Sequence, residues 1–453
     1  MVRSTRRPVR ALIMAVLLAL ALPSAASAAP PSNGLEWSKN AVIYEVNVRQ
    51  YTEEGTFKAF EEHLPRLKDL GVDILWFMPI HPIGEKNRKG TLGSYYSVRD
   101  YQAVNPEFGT MEDFKALVAK AHGMGFKVML DFVPNHTAHD HPWTEQQPDW
   151  YVRDDGGNLT PPAGTDWTDV AQLNWNNPDM RAALIDAMRF WVREADIDGY
   201  RMDYVTGVPD DFWPDVRAAL DEIKPTYLLA ENEEKTHLLG NEFQANYGWT
   251  MFHTMHQIAQ GKQKARDLQG YVEWVQRTYP DHAYPMQFTS NHDENSWNGT
   301  TRELFGDAEK TMAALTFLAP GMPLIYSGQE AGLDKRLEFF EKDQIAWDDL
   351  SMQDFYEGLV TLKKDNPALW NGAAGGRADF LKSSDENVLS FVREKDGSRV
   401  IVVANLSRDP ATATVDVGDY ENEYQDHSAG SSVDLEREHT FELRPWEYKI
   451  LTQ

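Results

Sequence analysis

The chain contains no cysteine among its 453 residues. That excludes disulfide staples, thiol nucleophiles and thiolate metal sites, so a large apolar core must supply the stability. Positive charge is also scarce, with 44 Lys and Arg against 70 Asp and Glu and a formal net charge of −26. An acidic surface repels phosphate and so disfavours nucleic acid and anionic membranes as partners. It suits a neutral substrate, and solubility alone would explain it equally well. Long apolar runs are missing too. The one from Ala11 to Leu22 has twelve residues, too few to span a bilayer comfortably. It follows Arg3, Arg6, Arg7 and Arg10 and precedes Ala26-Ser27-Ala28, the layout of a cleavable secretory signal over residues 1–29. An exported protein is expected, secreted or periplasmic and free of the membrane after cleavage. No G-x-G-x-x-G turn follows the first strand-like run, which counts against a doubly wound nucleotide-binding sheet.

From Ala41 to about Asn366, short apolar runs alternate with amphipathic stretches. The runs are AVIYEVNV, DILWFMP, KVMLDFV, DGYRMDY, TYLLAEN, a weak one near Tyr247, YPMQFTS and MPLIYSG. Stretches such as MEDFKALVAKAHGMG and PDMRAALIDAMRFWVREA between them read as helices. Eight strands alternating with helices predict an α/β fold, a (β/α)8 TIM barrel over residues 30–370. Residues 137–176 interrupt the rhythm with an irregular stretch rich in Pro, Asp, Trp and Gly, read as a small functional insertion after strand 3. Residues 371–453 change character to short alternating runs separated by turns, predicting a C-terminal antiparallel β domain.

Polar residues close several of the barrel runs, where a parallel barrel carries its active site. Asp203 and Glu231 end consecutive runs, 28 residues apart. Two carboxyl groups facing one bond, one protonated and one ionised, are what glycoside hydrolysis requires. Arg201 lies two residues before Asp203 on the same strand face, and its charge is expected to keep Asp203 ionised. Glu231 follows an apolar run, so partial desolvation should raise its pKa into the range of a general acid. Asp293 can accept hydrogen bonds from vicinal sugar hydroxyls, and His136 and His292 can donate to them. Each residue also has a plain structural reading. Arg201 and Asp203 could be a buried ion pair, and each histidine a satisfied core residue. Glu233 and Glu234 read as a solvated run at a helix start. His136, His139, Asp140 and His141 spell H-x-x-H-D-H, yet lack the helical i, i+4 spacing of a zinc site. They read as loop residues, with His136 assigned to the sugar site.

These segments together resemble glycoside hydrolase family 13, the α-amylase family. The resemblance rests on DFVPNH (Asp131–His136), GYRMD (Gly199–Asp203), AEN around Glu231 and FTSNHD ending at Asp293. GVDILWFMPI, YSVRDYQAVNPEFGT and GMPLIYSGQE support it. It implies a barrel, a short loop domain and a C-terminal β-sandwich. It further implies a retaining hydrolase of α-1,4-glucosidic bonds in starch-type α-glucans or maltooligosaccharides. Asp203 would be the nucleophile, Glu231 the acid/base, and Asp293 the residue holding the sugar's 2- and 3-hydroxyls. Arg201 would orient Asp203, His136 and His292 would bind the same sugar, and Tyr96 would stack beneath it. Within the family, an exo-acting α-glucosidase or a glucanotransferase is the alternative, and a catalytically inactive sugar-binding relative a further one. No cofactor is needed for the chemistry. The family's calcium site matches at Asn135, but Gln172 stands where an Asp is usual, and Thr206 and Gly207 where Lys and His are usual. The conserved site is thus incomplete, with the DDGGN turn (Asp154–Asn158) a possible alternative. The oligomeric state is left open.

Overall fold

A computed structural model describes residues 35–453; the expected leader over residues 1–29 lies outside them. All eight apolar runs contain strands. They are β1 (Ile43–Val46), β2 (Ile74–Phe77), β3 (Lys127–Phe132) and, beyond a hairpin of β4 (His136–Ala138) and β5 (Val170–Gln172), β6 (Gly199–Met202). Next come β7 (Tyr227–Ala230), β8 (Ala245–Tyr247), β9 (Tyr284–Gln287) and β10 (Met322–Tyr326). Parallel pairing closes them into a barrel in the order β1-β2-β3-β6-β7-β8-β9-β10. Every residue of the eight barrel strands except Lys127 is buried. Strands covered on both faces are read as unbroken apolar runs, which is why they are visible in the sequence.

Helices cover the barrel for local reasons. Met111–Gly123 starts at a capping box between Thr110 and Asp113 and buries Phe114, Leu117, Val118 and Ala121, one stripe at helical spacing. Pro178–Glu194 is capped by Asn177, has Pro178 at its first position and buries Met180, Leu184, Met188 and Trp191. Gly199 at the start of β6 is required by space: a Cβ there would lie 2.1 Å from the Tyr227 carbonyl oxygen. The strands carrying Asp203 and Glu231 approach each other at this point.

Register then sets the mouth of the barrel. Asp131 pairs with Arg201, and Arg201 with Leu229. Residues two further on share the same face, so Asp203 and Glu231 join Arg201 at one end. The insertion between β3 and β6 is held by the β4–β5 hairpin, in which His136 pairs with Gln172.

Beyond the barrel, β11 (Ala378–Phe380), β12 (Lys382–Ser383), β13 (Val388–Lys395), β14 (Ser398–Asn405) and β15 (Ala411–Asp416) begin the antiparallel region. It is completed by β16 (Asn422–Asp426), β17 (Ser431–Leu435), β18 (Glu438–Leu443) and β19 (Tyr448–Thr452). They form a six-stranded sheet, β11-β13-β14-β19-β16-β17, and a three-stranded one, β12-β15-β18. In β14 the faces divide by parity: Val400, Val402 and Ala404 join the barrel core, whereas Ile401 and Val403 pack between the sheets. Strands β16 and β17 escape a sequence reading because most of their side chains are exposed and polar.

One buried cation ties the two regions together. The Arg393 guanidinium donates to the carbonyls of Gly376 (2.8 Å), Trp370 (2.9 Å), Leu318 and Ala319 (both 3.1 Å). Arg393→Met would leave buried carbonyls without donors, each costing roughly 1–3 kcal/mol. Denaturant unfolding is expected to show a loss of at least about 3 kcal/mol. A loss below about 0.5 kcal/mol, ordinary for a surface change, would contradict this account.

Candidate active site

The site is built around one guanidinium. Arg201 is 0% exposed, and three rings enclose it, with Trp76, Tyr96 and Tyr247 centred 5.5, 5.6 and 5.6 Å from its central carbon. One nitrogen, Nη1, reaches Asp203 at 2.8 Å and Asp131 at 2.9 Å. The other, Nη2, pairs with Glu231 at 2.5 Å, and Nε donates to the Tyr247 hydroxyl at 3.0 Å. Three carboxylates therefore share one desolvated cation.

Tyr204, directly after Asp203, takes a left-handed backbone with φ 46° and ψ 49°, uncommon for a residue with a side chain. Its backbone N–H donates to Glu231 at 2.7 Å. The turn after β6 thus holds the second carboxyl while delivering the first, a local strain of the kind found at functional sites. Gly207 makes room for it, since a Cβ there would come within 2.6 Å of the Tyr204 ring and 2.7 Å of the Asn135 side-chain oxygen. The Asn232 amide donates to Thr206 at 2.8 Å, closing the turn at the first of the two positions that depart from the family pattern.

A second chain of hydrogen bonds leads in from β1. His292 donates from Nδ1 to Glu45 at 2.5 Å and from Nε2 to the Tyr96 hydroxyl at 2.7 Å. Tyr96 in turn donates to Asp131 at 3.0 Å. Burial disfavours the charged ring, but Asp293 and Glu45 outweigh it and raise the His292 pKa to about 9. This ring is therefore an imidazolium at neutral pH, with both nitrogens as donors. Its face is covered by Tyr96, stacked at 5.2 Å and 17°. Asp293 reaches His292 Nε2 at 3.5 Å, and its side chain remains 40% exposed towards the cleft. His136 differs: burial lowers its pKa to about 4, so it is neutral and accepts from the Asn135 amide at 3.3 Å.

The acids titrate upward. Burial dominates at Asp203 and overcomes the opposing pull of Arg201, with Asp131 adding to the rise, so its pKa reaches about 6. Arg201 favours the ionised form of Asp203, as its place on the strand suggests, but the same burial that strengthens the pair also penalises the charge and sets the net direction. Glu231 lies higher, at about 7, again through burial and then through Asp203 and Asp293, against the pull of Arg201. That ordering places an ionisable acid beside a more readily ionised one.

All eight expected site residues lie at this end of the barrel. Asp203, Glu231, Asp293, Tyr96 and His136 line a cleft of about 820 Å³, in the size range of ligand sites. Arg201, His292 and Asn135 lie behind its wall. Glu233 is corrected: it is half-buried, and its carboxylate caps the helix Trp249–Ala259 by accepting from Thr250 N at 2.9 Å and Thr250 Oγ1 at 2.6 Å. Sequence reasoning missed the parts played by Glu45, Asp131 and Tyr247. An acid inside an otherwise apolar strand, IYEV or KVMLDF, was the available signal. The H-x-x-H-D-H residues separate in space-filling roles: His139 meets the Thr168 carbonyl, Asp140 accepts from Glu85 N, and His141 accepts from Trp143 N.

A parallel barrel with two buried acids of raised pKa on one guanidinium at its mouth, and a third facing the cleft, has the layout of a barrel glycosidase. Comparison with known proteins gives the family. The α-amylase catalytic domain matches residues 32–387, and the maltogenic amylase C-terminal domain matches residues 378–450. An α-amylase from Lactobacillus plantarum is 31% identical, with a TM-score of 0.79 over 92% of this chain and 99% of that one. A noncanonic maltogenic α-amylase from Thermotoga neapolitana is 28% identical, with a TM-score of 0.84 over the same shares. An α-amylase from Haloarcula japonica is 29% identical over 86% of this chain, and the match spans 58% of its own length. The chain belongs to the α-amylase family of glycoside hydrolases.

The charge on His292 is the most exposed consequence of this geometry. Glu45→Gln removes one of the two anions that support it, so the His292 pKa should fall from about 9 towards or below neutrality. Nitrogen-detected NMR of the imidazole checks this, and an unshifted titration would show that Glu45 does not hold the charge.

Proposed function

We propose that this protein is an exported, retaining α-glucan hydrolase that cleaves α-1,4 bonds in starch-type chains or maltooligosaccharides. The observation that carries the proposal is geometric: Asp203 and Glu231 are held by neighbouring nitrogens of one buried guanidinium at the mouth of the barrel, where burial raises the pKa of both. In the first step, Asp203 attacks the anomeric carbon as the bond to the leaving oxygen breaks, and Glu231 gives that oxygen its proton. In the second, Glu231 takes a proton from water, which attacks the same carbon and releases Asp203. Two displacements return the α configuration. Asp293, half-exposed beside the imidazolium of His292, is suited to gripping the hydroxyls of the sugar being transferred. Tyr96 offers that sugar an aromatic face.

The printed names of the relatives, α-amylase and maltogenic α-amylase, support α-glucans as the substrate class. Export rests on the leader-like residues 1–29. Among the described residues, no helix is long and apolar enough to cross a membrane.

Incubation with starch, maltopentaose, cyclodextrin, pullulan and sucrose tests the substrate class. Mixed short maltooligosaccharides from maltopentaose are expected. Glucose as the sole early product would instead indicate an exo-acting α-glucosidase, and chains longer than the substrate a glucanotransferase. Glu231→Gln should lower kcat about 10²–10⁴-fold, and Asp203→Asn at least as far, with the circular dichroism spectrum of each unchanged. Wild-type turnover by Asp203→Asn would refute the assignment.

The pH dependence has a definite sign. Glu231 keeps its proton below about 7 and Asp203 loses its proton above about 6. The reactive form, with Asp203 ionised and Glu231 protonated, is thus most populated between these values, and kcat/KM should be bell-shaped. Asp293 raises both pKa values, so the residual activity of Asp293→Asn should show both limbs displaced to lower pH. Limbs that stay in place would contradict this electrostatic coupling.

A further inference from the structure

The calcium site implied by the family can be tested against the residues present. It would lie where Asn135, at the end of β3, meets β5 and the turn after β6. Three oxygens converge there, the Asn135 side-chain oxygen, the Asn135 carbonyl and the Leu173 carbonyl. All three are turned towards one atom of the protein itself. The Gln172 side-chain nitrogen donates to them at 3.2, 3.0 and 3.0 Å respectively. Two of the acceptors are backbone carbonyls, which can only accept, so the orientation of the Gln172 amide is fixed by its surroundings. Its oxygen accepts from the Asn135 amide at 3.2 Å, which completes a reciprocal pair.

This donor set does not fit calcium. Calcium takes six to eight oxygen ligands, commonly including carboxylates. Here none of the converging groups is charged, and an N–H donor sits where the cation would have to be. The described residues contain no group of three or more His, Asp or Glu placed to hold a metal ion. The DDGGN turn is satisfied internally, since Asp154 accepts from Gly156 N, Asn158 N and the Asn158 amide at 2.8–3.2 Å.

We propose that the Gln172 side-chain amide takes the place of a metal ion at this junction, so that the insertion is fastened to the barrel by hydrogen bonds and needs no calcium there. The consequence reaches the cleft. Asn135 donates through the same amide group to Gln172 and to His136, and His136 faces Gln172 across the β4–β5 pair. Gly207 adds to the substitution, because the small residue leaves the Asn135 oxygen free to face the amide.

Thermal unfolding of the purified full chain, in calcium chloride and in a chelator, tests the proposal. The wild type is expected to melt at the same temperature in both. Gln172→Leu, which keeps the bulk and removes the donor, should melt roughly 2–6 °C lower in both. Gln172→Asp places a carboxylate among the same oxygens, and calcium should raise its melting temperature by on the order of a few degrees. A wild type that loses stability in chelator, with the loss abolished by Gln172→Leu, would overturn the proposal by placing a metal at this junction. A Gln172→Leu variant melting like the wild type, or a Gln172→Asp variant indifferent to calcium, would contradict it as well.

Discussion

One guanidinium organises the mouth of this barrel. Arg201 is wholly buried, boxed by three aromatic rings and shared by Asp131, Asp203 and Glu231. Three anions on one cation leave a net negative charge in a place where charge is costly. The cost is met partly by protons, as the raised carboxyl pKa values show, and partly by the imidazolium of His292 a short distance away. The site therefore holds fewer negative charges at neutral pH than its carboxyl count suggests. A proton available on Glu231 beside an ionised Asp203 follows from this shortage of cations, and needs no separate device.

Much of this was legible in the sequence because the barrel strands are short and buried on both faces. Runs such as ILWF and YLLA stand out, and the polar residues that end them must lie at the rim. Asp203, Glu231 and Asp293 could be found in that way. What the sequence could not show was the balance of forces on each group. The i, i+2 spacing of Arg201 and Asp203 suggested a simple stabilised carboxylate, whereas burial moves its pKa the other way. Partners from strands far apart in the chain were equally hidden. Glu45 and His292 are 247 residues apart, and only closure of β1 against β10 and β2 brings that end of the barrel together. Glu233 was misread because its partner, Thr250, lies in the first turn of a helix that begins sixteen residues later. In the C-terminal region, β17 is the edge strand of its sheet and β16 lies next to it, both with few buried side chains, so they carry little apolar signal.

The insertion after β3 links the site to the rest of the fold. It begins at His136, a residue of the cleft, and returns through Gln172, the residue paired with it. Backbone strain at Tyr204, the small residue at Gly207 and the amide of Gln172 meet around Asn135. Fastening of the insertion and shaping of the cleft are thus the work of the same few residues, and changes at one are expected to be felt at the other.

The central claim is that Asp203 and Glu231, gripping neighbouring nitrogens of one guanidinium, act as the close carboxyl pair of a double displacement, about 5–5.5 Å apart in retaining enzymes. Proton NMR of the first sugar released from a maltooligosaccharide, recorded before mutarotation, tests it most directly. An α-anomeric signal at the new reducing end is the result the account predicts. A β-anomeric signal would mean a single displacement by water, and would contradict the assignment of Asp203 as nucleophile.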